Sequence, residues 1–274
     1  MPRTTAEKRA AFRALHESGC FTLPNPWDAG SARYLASLGF QAIATTSSGY
    51  AWSTGRADNQ VSRDDILAHL RAMVEATDLP VNADFESGFG DDAAGVAGSV
   101  KLAVATGVAG LSIEDATGDA AAPLLPIEIA VTRIAAARQA IDDSGGDTLL
   151  IGRAENFFVG VPDLNDTLER LKAYAAAGAD CLYAPGIRTR KEIEAVVAAV
   201  SPKPVNVLVG ANSLLTLPEL AALGVRRVSV GGALARSAWS GLMRSAQALS
   251  EGRFDGFADA PSGSELNALF AGDA

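Results

Sequence analysis

Carboxylate side chains are concentrated at the ends of two neighbouring β-compatible segments. The segment VNADFE (81–86) carries Asp84 and Glu86, and GLSIED (110–115) carries Glu114. Residues two apart lie on the same face of a strand, so Asp84 and Glu86 are expected to point the same way. Carboxylates packed together in a concave site are costly unless they are protonated or neutralised by a cation. Because all-oxygen ligation suits a hard cation, the three acids predict a Mg²⁺ site, with Mn²⁺ as the alternative ion.

Other polar residues follow the remaining predicted strands. Arg153 and Glu155 lie in phase at the end of LLIGRAEN (149–156), and Asn206 lies in VNVLVG (205–210). The loop expected after the second strand holds a further candidate group, which consists of Ser47, Ser48, Gly49, Tyr50 and Asp58. By the same alternation Asp115 points away from Glu114, so we expect it to cap a helix or pair with a cation.

Residues that other enzyme classes need are missing from the predicted strand ends. His16 and His69 both fall in helical patterns, which argues against a histidine-ligated zinc or iron site and against a histidine general base. A Schiff-base aldolase needs a lysine on the inner face of a strand. The lysines lie in helical patterns or at the opposite end of the strands; they are Lys8, Lys101, Lys172, Lys191 and Lys203.

The elements that must position these residues alternate regularly along the chain. After an N-terminal helix, the predicted strands are 21–25, 42–47, 81–86, 110–115, 149–156, 181–185, 205–210 and 227–232, each followed by a helical pattern. Eight such pairs without a linker most simply close into a (β/α)₈ TIM barrel, whose active site lies at the C-terminal strand ends. A doubly wound open sheet is the alternative, but the strand after the first helix carries no GxGxxG turn.

The pattern predicts a single domain over 1–274, with 241–274 forming a C-terminal helical arm. The arm either straps over the barrel or packs on a neighbouring subunit. The formal net charge is −9 with no basic cluster, so no nucleic-acid partner is expected. No apolar run reaches the roughly 18 to 20 residues of a membrane span, and the N-terminus has no apolar signal region. We therefore expect no membrane partner and a cytoplasmic location.

Four segments together resemble the isocitrate lyase/phosphoenolpyruvate mutase superfamily. In VNADFESGFG (81–90), which is similar to its D-x-D-x-G-[YF]-G metal segment, Glu86 replaces the second Asp. The other three segments are NPWDAGSARYLASLGFQAIATTSSGYA (25–51), GVAGLSIED (107–115) and IGRAENF (151–157). They follow one another in the family's order and spacing, from about residue 10 to 250.

The resemblance implies a Mg²⁺-dependent enzyme that acts on 2-oxo or 2-hydroxy acids through an enolate. By position, Asp84 would ligate the metal directly, and Asp58, Glu86 and Glu114 would complete its shell, partly through water. The substrate would be held by Ser48, Gly49, Tyr50, Arg153 and Asn206, with catalytic roles for Tyr50, Asp58 and Arg153. Members of this superfamily are usually tetramers in which the last helix packs on a neighbouring subunit, so a homo-oligomer, either tetramer or dimer, is expected.

One segment departs from the family pattern. The lyases carry a K-[KR]-C-G loop after strand 4, whereas residues 116–126 here read ATGDAAAPLLP and contain neither Cys nor Lys. This segment is either a lid or an inert connection. The leading hypothesis is a carbon–carbon lyase or decarboxylase acting on a small 2-oxo or 2-hydroxy di- or tricarboxylate. The alternatives are a phosphonopyruvate hydrolase or mutase and a 2-oxo acid binder with vestigial activity.

Overall fold

Eight parallel strands alternate with helices around a nearly closed barrel. A computed structural model describes residues 2–210 and 213–271. Its strands follow the order β1-β8-β7-β6-β5-β4-β3-β2, so that β8 pairs with β1 and a ladder joins each pair of consecutive strands except β1 and β2. The amide of Ala44 donates to the carbonyl of Pro24 at 3.0 Å across the seam between these two strands. The predicted (β/α)₈ barrel is confirmed.

The element bounds are as follows. The strands are β1 (Phe21–Leu23), β2 (Ile43–Ala44), β3 (Val81–Asp84), β4 (Gly110–Glu114), β5 (Leu149–Arg153), β6 (Cys181–Tyr183), β7 (Val205–Leu208) and β8 (Arg227–Ser229). The helices are α1 (Thr5–Leu15), α2 (Ala29–Ser37), α3 (Ser47–Ser53), α4 (Arg63–Ala76), α5 (Ala93–Ala105), α6 (Ile127–Asp143), α7 (Leu164–Ala176), α8 (Arg190–Val200), α9 (Leu217–Ala222), α10 (Ala233–Ser250) and α11 (Gly263–Ala271).

The segment after β2 was predicted as a loop and is instead the short helix α3. The Thr46 side chain accepts a hydrogen bond from the Gly49 amide and so caps the helix. Residue 49 must be small, because a Cβ there would lie 2.6 Å from the Thr46 methyl and 3.1 Å from Trp27. The Ser/Gly-rich sequence of residues 47–49 is typical of a loop, but it is also compatible with the first turn of a helix that Thr46 caps and that packs against Trp27.

Apolar side chains fill both the barrel interior and the layer between strands and helices. Inside the barrel, Leu23, Ile151 and Cys181 pack against Phe12 of α1, which closes the N-terminal end of the barrel. A larger cluster joins the outer strand faces to the surrounding helices. The opposite end, where the strands finish, is therefore the open one.

The C-terminal arm continues along α10 into a short 3-10 turn and α11. Helix α10 buries only Ala235 and Ala248, although it also carries large apolar side chains that are exposed, namely Trp239, Leu242, Met243 and Leu249. Helix α11 lies against α2 of the same chain. Residues 272–274 of the predicted arm lie outside the described residues. Within the described ranges, every helix is too short or too polar to traverse a lipid bilayer.

The close approach of β5 to α7 gives a test of this packing. A Cβ at Gly152 would lie 2.9 Å from the Tyr174 Cβ and 3.2 Å from the Ala179 Cβ, and neither atom can swing away. We expect Gly152→Ala to lower the free energy of unfolding by about 1 to 3 kcal/mol, measured by urea denaturation. Gly98 is the matched control, since it is exposed within α5 and a Cβ there would meet no atom within 4 Å. Gly98→Ala should raise stability by up to about 1 kcal/mol; equal effects of the two changes would contradict the packing.

Candidate active site

A cavity of about 750 Å³ opens where the strands end. Asp84 and Arg153, the last residues of β3 and β5, line it together with Ser47, Ser48 and Asp58 from the segment after β2. The barrel thus brings residues that are up to about a hundred positions apart in sequence into one concave site. This is the end at which barrel enzymes place their chemistry.

The guanidinium of Arg153 lies at the centre of the acidic cluster. Its Nη1 donates to Asp84 Oδ1 at 2.9 Å and lies 3.0 Å from Glu114 Oε2. Its Nε donates to Glu155 Oε1 at 2.6 Å. The contact with Glu114 follows from the register, because these two residues are cross-strand partners on β4 and β5. The guanidinium also lies over the Tyr183 ring, 5.2 Å from its centroid.

One guanidinium does not neutralise all the acids around it. Asp58 and Glu86 add two more carboxyl groups, and neither forms a salt bridge within the described residues. Burial, followed by the charges of Asp84 and Asp58, raises the pKa of Glu86 to about 8. Burial also raises the pKa of Glu114 well above its ordinary value, against the lowering effect of Arg153. The site therefore holds more acid than the one guanidinium can neutralise, and this excess favours either protonation or the binding of a further cation.

Glu86 does not continue β3, as the two-residue alternation predicted. The strand ends at Asp84, and Glu86 adopts a left-handed conformation with φ of 47°. Its carbonyl accepts the Glu114 amide at 3.0 Å, which ties the turn to the end of β4. Its Oε1 is buried without a hydrogen-bond partner. A buried orphan carboxyl oxygen beside other acids suits a cation or an ordered water.

Asp84 is held from two sides by the segment after β2. Its Oδ2 accepts the Ser47 amide at 2.9 Å, and its own amide donates to Thr45 Oγ1 at 2.9 Å. The Ser48 hydroxyl lies 3.1 Å from Thr46 Oγ1 and lines the cavity beside this pair. These contacts fix the carboxylate that the sequence assigned to the metal.

Three other predicted substrate residues do not reach the cavity wall. The Tyr50 ring stacks on His69 with centroids 3.9 Å apart, and the Gly49 amide is used in capping α3. Asn206 is fully buried; it donates to Ser229 and accepts from Arg227. The structure brings Tyr183 to the cavity instead. The alternation of β6, in which Cys181 and Tyr183 share a face, could have indicated Tyr183.

Asp115 has the ion-pair role expected for it. Its Oδ2 accepts Arg170 Nη1 at 3.0 Å and the Tyr174 hydroxyl at 2.6 Å, on the outer face of β4. The neighbouring segment 116–126 folds back on itself through a bridge between Ala116 and Leu124, and it contributes no residue to the cavity wall. In this conformation the segment does not cover the site.

The donor set is compatible with a hard divalent cation. Within residues 2–210 and 213–271, no three acidic, histidine or cysteine side chains converge on a single metal position. Magnesium, however, commonly takes one or two carboxylates directly and keeps several waters. Asp84 in the cavity wall, the orphan Glu86 oxygen and the excess of acid over Arg153 fit such a partly hydrated ion.

Comparison with known proteins agrees with this geometry. Residues 12–250 match the phosphoenolpyruvate phosphomutase family. Among curated relatives, the oxaloacetate decarboxylase of Bradyrhizobium diazoefficiens is 33% identical over 258 residues, which cover 88% of this chain and 87% of the relative.

Solved structures show the same similarity. A candidate lyase/mutase from Burkholderia cenocepacia J2315 superimposes with a TM-score of 0.94 and 50% identity, covering 97% of each chain. A phosphonopyruvate hydrolase in complex with oxalate and Mg²⁺ superimposes with a TM-score of 0.86 and 29% identity, covering 97% of this chain and 95% of the other. The resemblance drawn from the motifs is confirmed: the chain belongs to the phosphoenolpyruvate phosphomutase family, within the isocitrate lyase/phosphoenolpyruvate mutase superfamily of enzymes.

Proposed function

We propose that this enzyme is a Mg²⁺-dependent carbon–carbon lyase or decarboxylase that acts on a small 2-oxo or 2-hydroxy di- or tricarboxylate. The observation that carries the proposal is the arrangement around Arg153. One guanidinium contacts Asp84, Glu114 and Glu155, while Asp58 and Glu86 add uncompensated acid. Similarity to an oxaloacetate decarboxylase supports the same reaction class.

Each part of the site has a role in this proposal. Asp84 would hold the cation, with Asp58, Glu86 and Glu114 around it, directly or through water. When bound, the ion supplies charge stabilisation for an enolate that develops next to the 2-oxo group. Arg153 would bind a substrate carboxylate, for which a planar guanidinium is better suited than an ammonium group.

The proton that the enolate takes up needs a donor in the cavity. No histidine, lysine or cysteine of the described chain lines it. Several hydroxyl groups line it, among them those of Ser47, Ser48 and Tyr183, and burial raises the pKa of Tyr183, so it stays protonated at neutral pH. We therefore place proton transfer on one of these hydroxyls or on solvent. Tyr50, whose ring stacks on His69 outside the cavity, is the weaker choice.

Carbon–phosphorus cleavage is the second candidate. It is favoured by the similarity to a phosphonopyruvate hydrolase, and the same cation and guanidinium would bind a phosphonate as readily as a carboxylate. Binding of 2-oxo acids with vestigial activity is the third. It follows from residues 116–126, which lack the Cys and Lys of the lyase loop.

A substrate panel tests these candidates. We expect purified protein with Mg²⁺ to release pyruvate from oxaloacetate or 2-methylisocitrate, or glyoxylate from isocitrate, and to release no phosphate from phosphonopyruvate. Asp84→Asn should lower kcat/KM at least about 100-fold, because it removes the negative charge of the carboxylate that would ligate the cation directly. The rate measured with this variant also gives the background decarboxylation of oxaloacetate by free Mg²⁺, which is subtracted from the rate of the unsubstituted enzyme.

Asp91→Asn is the matched control, since Asp91 follows the same strand but is exposed and lies outside the cavity. It should keep kcat/KM within about twofold of the unsubstituted enzyme. Phosphate release would establish the second candidate. If nothing turns over while oxalate raises Tm only with Mg²⁺, the binder is the correct description. Full activity in Asp84→Asn would refute the site.

We also propose that the chain forms a homo-oligomer through α10, with a second copy covering the exposed apolar side chains of that helix. Sedimentation should show a species larger than the monomer at micromolar concentration. Leu242→Asp, which places a charge at a 57% exposed apolar position, should weaken that assembly at least tenfold. Ser237→Asp should leave it intact, because Ser237 is exposed on the same helix but is not three or four residues from any of those apolar side chains. A monomeric unsubstituted protein would rule the proposal out.

A further inference from the structure

Asp115 is a fully buried carboxylate that lies next to the site but faces away from it. It is 1% exposed, and all its recorded partners belong to this chain. Oδ2 accepts Arg170 and Tyr174, as described above, and Oδ1 accepts the amide of Glu155 at 2.8 Å. Both oxygens of this carboxylate are therefore engaged in holding other residues.

The bond to Glu155 connects Asp115 to the cavity. Strand β5 ends at Arg153, so Glu155 lies beyond the sheet ladder and its amide has Asp115 as its hydrogen-bond acceptor. The Glu155 side chain, which is 2% exposed, in turn accepts Arg153 Nε at 2.6 Å. The direction of the guanidinium is thus set from behind by Glu155, and the position of Glu155 is set by Asp115.

Asp115 and Arg170 also hold the two ends of the segment 116–126 together. The Leu125 amide donates to the Asp115 carbonyl at 2.8 Å, and Arg170 Nη1 donates to the Leu125 carbonyl at 2.9 Å. The segment that replaces the lyase loop is consequently anchored by the residues that brace Glu155. One buried ion pair joins the end of β4, the end of β5 and this segment.

We propose that Asp115 is a positioning residue: held by Arg170 and Tyr174, it fixes Glu155 and thereby aims Arg153 at the substrate carboxylate. This inference rests on the proposed function, because it presumes that Arg153 binds that carboxylate. A buried ion pair that served stability alone would affect folding without affecting anion affinity selectively. The two roles therefore predict different binding behaviour.

Oxalate, an unreactive dicarboxylate, provides a readout without turnover. Its affinity would be measured by titration calorimetry at saturating Mg²⁺. Asp115→Asn should weaken oxalate binding at least tenfold, because the Arg170 contact loses its charge and Glu155 loses its fixed position. Asp166→Asn is the control on the same cation: Asp166 Oδ2 accepts Arg170 Nε and Asn156 Nδ2, each at 2.6 Å, and has no recorded contact with Glu155. It should change the oxalate Kd less than threefold, even if both variants lower Tm.

A double-mutant cycle with Arg153→Lys separates positioning from a general loss of stability. If Asp115 acts through Arg153, adding Asp115→Asn to Arg153→Lys should weaken oxalate binding by less than a further twofold. Independent, additive losses would overturn the proposal. So would equal effects of Asp115→Asn and Asp166→Asn.

Tyr174→Phe keeps the test decisive if Asp115→Asn does not fold. It removes one donor to Asp115 and leaves the charge, and it should weaken oxalate binding about threefold in the unsubstituted background and not at all beside Arg153→Lys. An unchanged affinity in Tyr174→Phe would then contradict the inference. Failure of the unsubstituted enzyme to bind oxalate with Mg²⁺ would instead contradict the proposed function, and the inference with it.

Discussion

The site depends on an imbalance of buried charge. Five carboxyl groups lie around a single guanidinium at the open end of the barrel, and burial raises the pKa of several of them. Such an arrangement is unfavourable unless protons or a cation compensate it. A divalent ion and an anionic substrate would together replace the protons and engage the guanidinium. The free energy that it costs to bury these carboxylates together is thus linked to the binding of the divalent ion and of the anionic substrate.

The barrel supplies this arrangement through its register. Glu114 and Arg153 are direct partners across β4 and β5, so their contact follows from the sheet itself. Asp84, at the end of β3, is fixed by the Ser47 amide from the neighbouring segment. Behind the strands, Asp115 braces the chain just beyond β5. Contacts on both faces of the sheet therefore hold the charged groups in place, which is the preorganisation that charge stabilisation requires.

The sequence was sufficient for the architecture and for the central acids. Alternation of strand and helix patterns is a local signal, and residues at successive strand ends must meet in a barrel. It was insufficient where tertiary contacts decide. The left-handed turn at Glu86 depends on its bond to β4, and the orientation of Tyr50 depends on His69 of the following helix, α4. The contact between Arg153 and the acids combines two groups that the sequence had assigned separately, one to substrate and one to metal.

Proton release on Mg²⁺ binding tests the charge imbalance most directly. With the pKa of Glu86 near 8, that carboxyl is mostly protonated at pH 7 and mostly ionised at pH 9. A cation that takes the place of the proton should therefore release more protons at pH 7 than at pH 9. Calorimetric titration of Mg²⁺ in buffers of different ionisation enthalpy measures this number. We expect close to one proton or more to be released per Mg²⁺ at pH 7, and fewer as the pH rises. Binding with no proton release at pH 7, or no binding, would contradict it.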